Sequence, residues 1–114
     1  MNAAPYQFGE VILVPFPFSN QTAGKQRPAV VVSSDAYHAN RPDLLIMAIT
    51  SQAHTAQDFA TVTLVDWQVA KLLKPSYAKP VLTTLEQALV IRRMGSLTAF
   101  DQHALRNMIA QIIG

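Results

Sequence analysis

The feature that most constrains the fold is a pair of apolar runs that enclose a polar loop containing glycine. Residues 10–15 and 29–32 are rich in β-branched side chains, and each run predicts a buried strand. Prolines and a glycine interrupt the segment between them, which is typical of a turn. The loop ends at Arg27, and Pro28 follows it directly, which biases Arg27 toward an extended conformation. We therefore expect the Arg27 guanidinium to project from the entrance of the second strand.

Four further segments have the composition of short strands. They are residues 44–50, 61–65, 77–83 and 89–94. Pro80 lies within the third of these, so that strand is predicted to lie at a sheet edge or to pair irregularly. Residues 67–73 predict a single turn that packs on the core. Closely spaced strands of this kind indicate a small, strongly bent antiparallel sheet or barrel.

The chain ends in one predicted amphipathic helix. Apolar residues recur at helical spacing from Ala99 to Ile113, and Thr98 with Asp101 three residues later predicts a capped start. The helix is expected to pack against the sheet, which makes the fold mainly β within the α+β class.

Composition limits the size and the class of the protein. With 114 residues, the chain accommodates one domain, predicted at residues 8–114 after a flexible leader at residues 1–7. Only 14% of the residues are charged, against about a quarter in typical domains, which predicts apolar surface buried in a homodimer. No stretch approaches the ~20 apolar residues of a membrane span, so we expect a cytoplasmic protein without a membrane partner.

Charge and metal-binding residues are sparse. The net charge of +2 does not by itself predict nucleic-acid binding, so an RNA site would depend on local clustering of Lys25, Arg27 and Lys79. The chain has no cysteine, and its three histidines fit no ligand spacing, so neither a metal nor another cofactor is expected.

Five separated blocks carry a family resemblance: GEVILVPFPF at residues 9–18, KQRPAVV at 25–31, AITS at 48–51, LLKPS at 72–76 and IRRMGSL at 91–97. In order and spacing they resemble the PemK/MazF family of toxin-antitoxin endoribonucleases, over nearly the whole chain from Phe8. The resemblance implies an SH3-like antiparallel barrel that forms a homodimer, with a substrate groove along the dimer interface. It also implies metal-independent cleavage of single-stranded RNA, inhibition by a cognate antitoxin, and DNA binding as a complex with that antitoxin.

Two residues are predicted to be catalytic. RNA cleavage needs proton transfer at the 2′ and 5′ oxygens and positive donors directed at the phosphate. Arg27 suits electrostatic stabilisation and proton donation, because its planar fork can hold two phosphate oxygens and it stays protonated. Thr50 offers a hydroxyl where a strand meets a polar loop. The resemblance implies that Arg27 and Thr50 are the catalytic pair.

The residues around this pair are predicted to bind RNA: Phe18, Ser19, Lys25, Gln26, Ser51, Gln52 and Lys79. Phe16 and Phe18 could both stack on bases, with Phe18 favoured and the other assigned to the core. Some family members carry an arginine and an aspartate near the position of Lys79, but here the acid is missing, which leaves Lys79 as a phosphate contact. His54 could assist proton transfer, although a solvated loop histidine is the simpler interpretation.

Two other functions remain open. A toxin of similar fold could poison DNA gyrase by binding it, but such toxins depend on a tryptophan near a C-terminal Gly-Ile. Here the only tryptophan is Trp67, and the chain ends in Ile113 and Gly114. A barrel that only binds proteins is the third possibility, and it would not need Arg27 and Thr50 together.

Overall fold

The computed structural model describes residues 5–16, 25–53 and 58–114. Six strands form one sheet: β1 (Glu10–Phe16), β2 (Lys25–Val31), β3 (Asp43–Thr50), β4 (Val62–Leu64), β5 (Ser76–Glu86) and β6 (Arg92–Ser96). A short helix, α1 (Asp35–Asn40), precedes β3, and α2 (Ala99–Ile113) closes the chain. The sheet order is β4-β5-β3-β2-β1-β6, with every neighbouring pair antiparallel. This curled sheet with one terminal helix confirms the predicted mainly β, SH3-like fold.

Two apolar clusters hold the sheet together. Alternation along β1 places Val11 in one cluster and its neighbour Ile12 in the other, because successive strand residues face opposite sides. The larger cluster includes Leu105 and Met108 of α2, so the helix covers that side of the sheet. No helix in the described ranges is long and apolar enough to cross a bilayer.

Helix α1 was not predicted, because residues 35–40 show no apolar periodicity. Its start is capped by Ser34, whose hydroxyl accepts a hydrogen bond from the Tyr37 N–H at 3.2 Å. Its end is fixed by Asp43, which accepts hydrogen bonds from the Tyr37 hydroxyl at 3.0 Å and from Arg41 Nε at 2.9 Å. The hydrogen bond from Arg41 holds the pKa of the Asp43 carboxyl below its ordinary value.

The bounds of β5 and β6 differ from the prediction. β5 extends to Glu86, but β4 pairs only with its residues 76–78, so at Pro80 the single strand neighbour of β5 among the described residues is β3. The pairing there is also irregular, as predicted, since the β3 register shifts between Met47 and Ile49. The strand predicted at 89–94 begins only at Arg92, because Leu89 packs on the smaller cluster from a 3-10 turn.

The predicted turn at residues 67–73 is confirmed, and it packs against α2 and β6. Asp101 is fully buried, and its carboxylate accepts hydrogen bonds from the N–H groups of Val65 at 3.0 Å and Asp66 at 2.8 Å. At the other side, a Cβ on Gly95 would lie 2.6 Å from the Ala70 carbonyl oxygen. Position 95 therefore requires glycine, because any side chain would force the turn away from β6.

Candidate active site

Arg27 lies inside β2, which begins at Lys25 and not at Ala29 as the sequence predicted, because the strand pairs with β1 as far as Phe16. The backbone at Arg27 is extended, as the following proline predicted, and the side chain is exposed. Arg27 pairs with Val14 of β1 in the antiparallel register, and Lys25 pairs with Phe16. The Arg27 guanidinium lies 5.7 Å from the centroid of the Phe16 ring, which is within the range of a cation–π contact. Phe16 is 40% exposed, so it is not the core residue that the sequence suggested.

Thr50 is the last residue of β3, on the strand next to Arg27. The pairing of β2 with β3 ends at Ala29 and Ala48, two residues from Arg27 on β2 and two residues from Thr50 on β3. The Thr50 oxygen accepts a hydrogen bond from the Gln52 N–H at 3.2 Å, which orients the hydroxyl. Arg27 and Thr50 therefore lie on neighbouring strands, beyond the paired segment.

A cavity of about 540 Å³ opens beside this pair, and we term it the basic groove. Six of the predicted site residues line it: Gln26, Arg27, Thr50, Ser51, Gln52 and Lys79. Lys25 is exposed at the start of β2 but is not part of the lining. Phe18, Ser19 and His54 lie outside the described residues, so their assignments stay predictions.

The basic groove contains two cations that the sequence analysis missed. Lys74 and Arg92 line it together with Arg27 and Lys79, and no described residue of the lining is acidic. Apolar side chains complete the lining, among them Leu13, Leu72, Leu73 and Met94. Four positive charges without a carboxylate favour an anionic ligand. Arg92 could have been found only through the pairing of β6 with β1, which residue patterns do not reveal.

A bulge in β5 explains how Lys79 reaches the basic groove. Ala78 pairs with Ile49 and Leu82 with Met47, so three residues of β5 lie opposite the single residue Ala48. Bulges bend a strand and redirect its side chains. Pro80 lies inside this bulge, where its missing N–H removes no ladder hydrogen bond. Pro80 is therefore part of the bulge that brings Lys79 to the basic groove.

Comparison with known proteins gives the family. The model of the PemK-like, MazF-like toxins of type II toxin-antitoxin systems matches residues 7–113. The chain belongs to this family. It is thus a PemK/MazF toxin of a type II toxin-antitoxin system. Among curated proteins, none matches the chain.

Solved structures share the fold of this PemK/MazF toxin at low sequence identity. An endoribonuclease from a mycobacterial species, in complex with its cognate antitoxin, is 17% identical with a TM-score of 0.73, covering 100% of this chain and 96% of that one. MazE-MazF from Deinococcus radiodurans is 18% identical with a TM-score of 0.73, covering 98% of each chain. The Mycobacterium tuberculosis toxin MazF-mt6 is 19% identical with a TM-score of 0.72, covering 91% and 95%.

Proposed function

We propose that this toxin is a metal-independent, sequence-selective endoribonuclease that cleaves single-stranded RNA and thereby inhibits translation and growth. The observation that supports this most is that Arg27 and Thr50 line the same groove, whose described charges are all positive. A toxin that binds and poisons DNA gyrase remains the alternative. The positive charges of the groove favour the nuclease, because RNA is an anionic polymer.

In the proposed reaction, the 2′ oxygen of one nucleotide attacks the adjacent phosphorus and the bond to the 5′ oxygen breaks. The products are a 2′,3′-cyclic phosphate and a free 5′-hydroxyl, so one proton leaves the 2′ oxygen and one reaches the 5′ oxygen. Arg27 donates hydrogen bonds to the phosphate oxygens as their negative charge grows. The Thr50 hydroxyl, held by the Gln52 N–H, contacts the phosphate or the 2′-hydroxyl.

The other groove residues hold the RNA backbone and bases. Lys79 neutralises a phosphate, whereas Gln26, Ser51 and Gln52 offer hydrogen bonds that can read base edges. The Phe16 ring lies against Arg27 and limits the positions that the guanidinium can take. Phe18, Ser19 and Lys25 are proposed to contact RNA at the margin of this groove.

The proposal is tested by incubating the purified chain with a long single-stranded RNA in EDTA. We expect cuts at a restricted set of sequences in EDTA, because the proposed reaction uses no metal. Each cut should leave a cyclic phosphate, because the 2′ oxygen is the nucleophile. A Thr50→Val preparation made in parallel controls for contaminating nuclease, since it replaces the hydroxyl by a methyl group of similar size. Absence of cleavage, together with inhibition of gyrase by the same protein, would support the alternative function.

We further propose a homodimer whose interface lies beside the basic groove. The low charged fraction supports it, as do exposed apolar side chains such as Leu73, which is 87% exposed in the single chain. A second copy would cover such surface. Light scattering at micromolar concentration should give twice the chain mass, and an active monomer would contradict this proposal.

The proposed protein partner is a cognate antitoxin that occupies the basic groove. Cations over apolar side chains suit a disordered segment that is both acidic and hydrophobic and that folds on binding. We expect inhibitor and RNA to compete, and RNA binding to weaken more steeply with salt, because its contacts are mainly to phosphates. A titration with the Thr50→Ala protein measures this competition. Simultaneous, independent binding of an antitoxin peptide and a non-cleavable RNA would exclude it.

A further inference from the structure

Two adjacent arginines on β6 have different surroundings. Arg93 is held against the protein, since its Nε lies 3.1 Å from Glu10 Oε2 and its guanidinium lies 4.0 Å from the centroid of the Tyr6 ring. Arg92 is exposed, lines the basic groove, and forms no ion pair with any residue in the described part of the chain. Successive strand residues face opposite sides, so one arginine anchors the N-terminal segment and the other stays available to a ligand.

Arg92 lies at the end of the groove farthest along the sheet from Thr50. It pairs with Leu13 of β1, and Leu13 pairs with Pro28 of β2, the neighbour of Arg27 in the chain. Two strand spacings separate β6 from β2, which is about 10 Å between the backbones. Strand alternation directs Arg27 to the sheet face opposite that of Leu13, Pro28 and Arg92, yet both arginines line the basic groove. They can therefore contact different anionic groups of one ligand.

Lys74 places a further positive charge in the groove, from a different segment than Arg92. It follows the turn that packs on β6 and precedes β5, and it lines the same cavity without an ion pair among the described residues. Met94 of β6 and Leu73 also line the cavity. Arg92 and Lys74 thus come from two segments of the chain, and both lie beside apolar side chains in the groove.

We propose that Arg92 and Lys74 form a second phosphate-binding site, which holds the RNA backbone beside the cleaved bond. This inference rests on the proposed function, since it assigns part of the same groove. A single-stranded RNA presents phosphates at regular intervals, and an arginine fork can bind two oxygens of one phosphate. Contacts of this kind set position and affinity without reading sequence. The site therefore contributes to binding and not to the choice of cut sequence.

The test measures binding of a 2′-O-methyl RNA oligonucleotide by fluorescence anisotropy, which does not depend on cleavage. We expect Arg92→Gln to raise Kd about tenfold at low salt and to reduce the salt slope by about 0.7. Lys74→Gln should act in the same direction. The matched controls, Arg93→Gln and Lys71→Gln, remove equal charges nearby from side chains outside the groove lining, and they should leave Kd unchanged.

Shortening the oligonucleotide distinguishes the two ends of the groove. Removing nucleotides from one end should abolish the difference between wild type and Arg92→Gln, while the difference between wild type and Arg27→Gln persists. Equal Kd values and salt slopes for Arg92→Gln and Arg93→Gln would overturn the inference. So would a loss confined to binding of an acidic peptide, which would assign these cations to the inhibitor.

The outcome is separable from that of the proposed function. A wild-type protein that cleaves RNA while Arg92→Gln binds normally would refute only the second phosphate site. A wild-type protein that binds RNA through Arg92 but does not cleave it would refute only the nuclease. Thermal melting of each variant establishes that the charge, and not the fold, has changed.

Discussion

Replacement of Arg27 by alanine is expected to slow RNA cleavage by about a hundredfold to a thousandfold while the fold stays intact. The side chain is exposed and rests on the Phe16 ring, so its removal costs the core nothing. What is lost is a donor to the phosphate as its charge grows. Single-turnover cleavage at saturating protein measures the rate, and thermal melting shows whether the fold is kept.

Two further variants sharpen this expectation. Arg27→Lys should recover little activity, because an ammonium group cannot reproduce the planar fork. Arg106→Ala removes one positive charge from α2, where Arg106 lies 4.0 Å from the centroid of the Phe8 ring, and it should cleave at the wild-type rate. If Arg27→Ala cleaves as fast as Arg106→Ala, Arg27 is not a catalytic residue.

Replacement of Asp101 by alanine is expected to destabilise the protein by about 2–5 kcal/mol. Its buried carboxylate accepts hydrogen bonds from the part-buried N–H groups of Val65 and Asp66, and a hydrogen bond to a charged group contributes about 1.5–3 kcal/mol. Because domains of this size are stable by only about 5–15 kcal/mol, the loss should be evident in urea unfolding.

Matched substitutions identify the cause of that loss. Asp101→Asn keeps one acceptor oxygen and should fall between wild type and Asp101→Ala. Asp35→Ala also removes an acid from the first turn of a helix, but Asp35 is exposed on α1, so its effect should stay within about 1 kcal/mol. Equal stabilities for Asp35→Ala and Asp101→Ala would mean that Asp101 acts only through the helix dipole.

The sequence predicted the parts of the site that local patterns determine. The proline after Arg27 indicated extended backbone, and the apolar run before Thr50 indicated a strand that ends there. Both side chains line the basic groove. The nonlocal features were not predictable. Arg92 joins the groove only because β6 pairs with β1, and Asp101, interpreted as part of a helix cap, also holds a distant turn.

Helix α1 is another feature that residue patterns did not predict. Its residues have no apolar stripe, and its end is stabilised by the contacts of Tyr37 and Arg41 with Asp43 of β3. Pro80 predicted irregular pairing of β5 but not the size of the bulge. The number of unpaired residues in β5 depends on where its pairing with β3 begins again, which the sequence does not show. Contacts that depend on tertiary structure leave little trace in residue spacing.

The close approach of Gly95 to Ala70 also limits how this toxin can evolve. The turn that covers the edge strand β6 continues directly into Leu72, Leu73 and Lys74, which line the basic groove. An insertion that reshaped this wall would lift the turn off the face of β6 and expose the buried side chains of Ala70 and Leu72. Substitutions of Leu73 and Lys74 can therefore change this wall without moving the turn, whereas changes in segment length are expected to destabilise the fold.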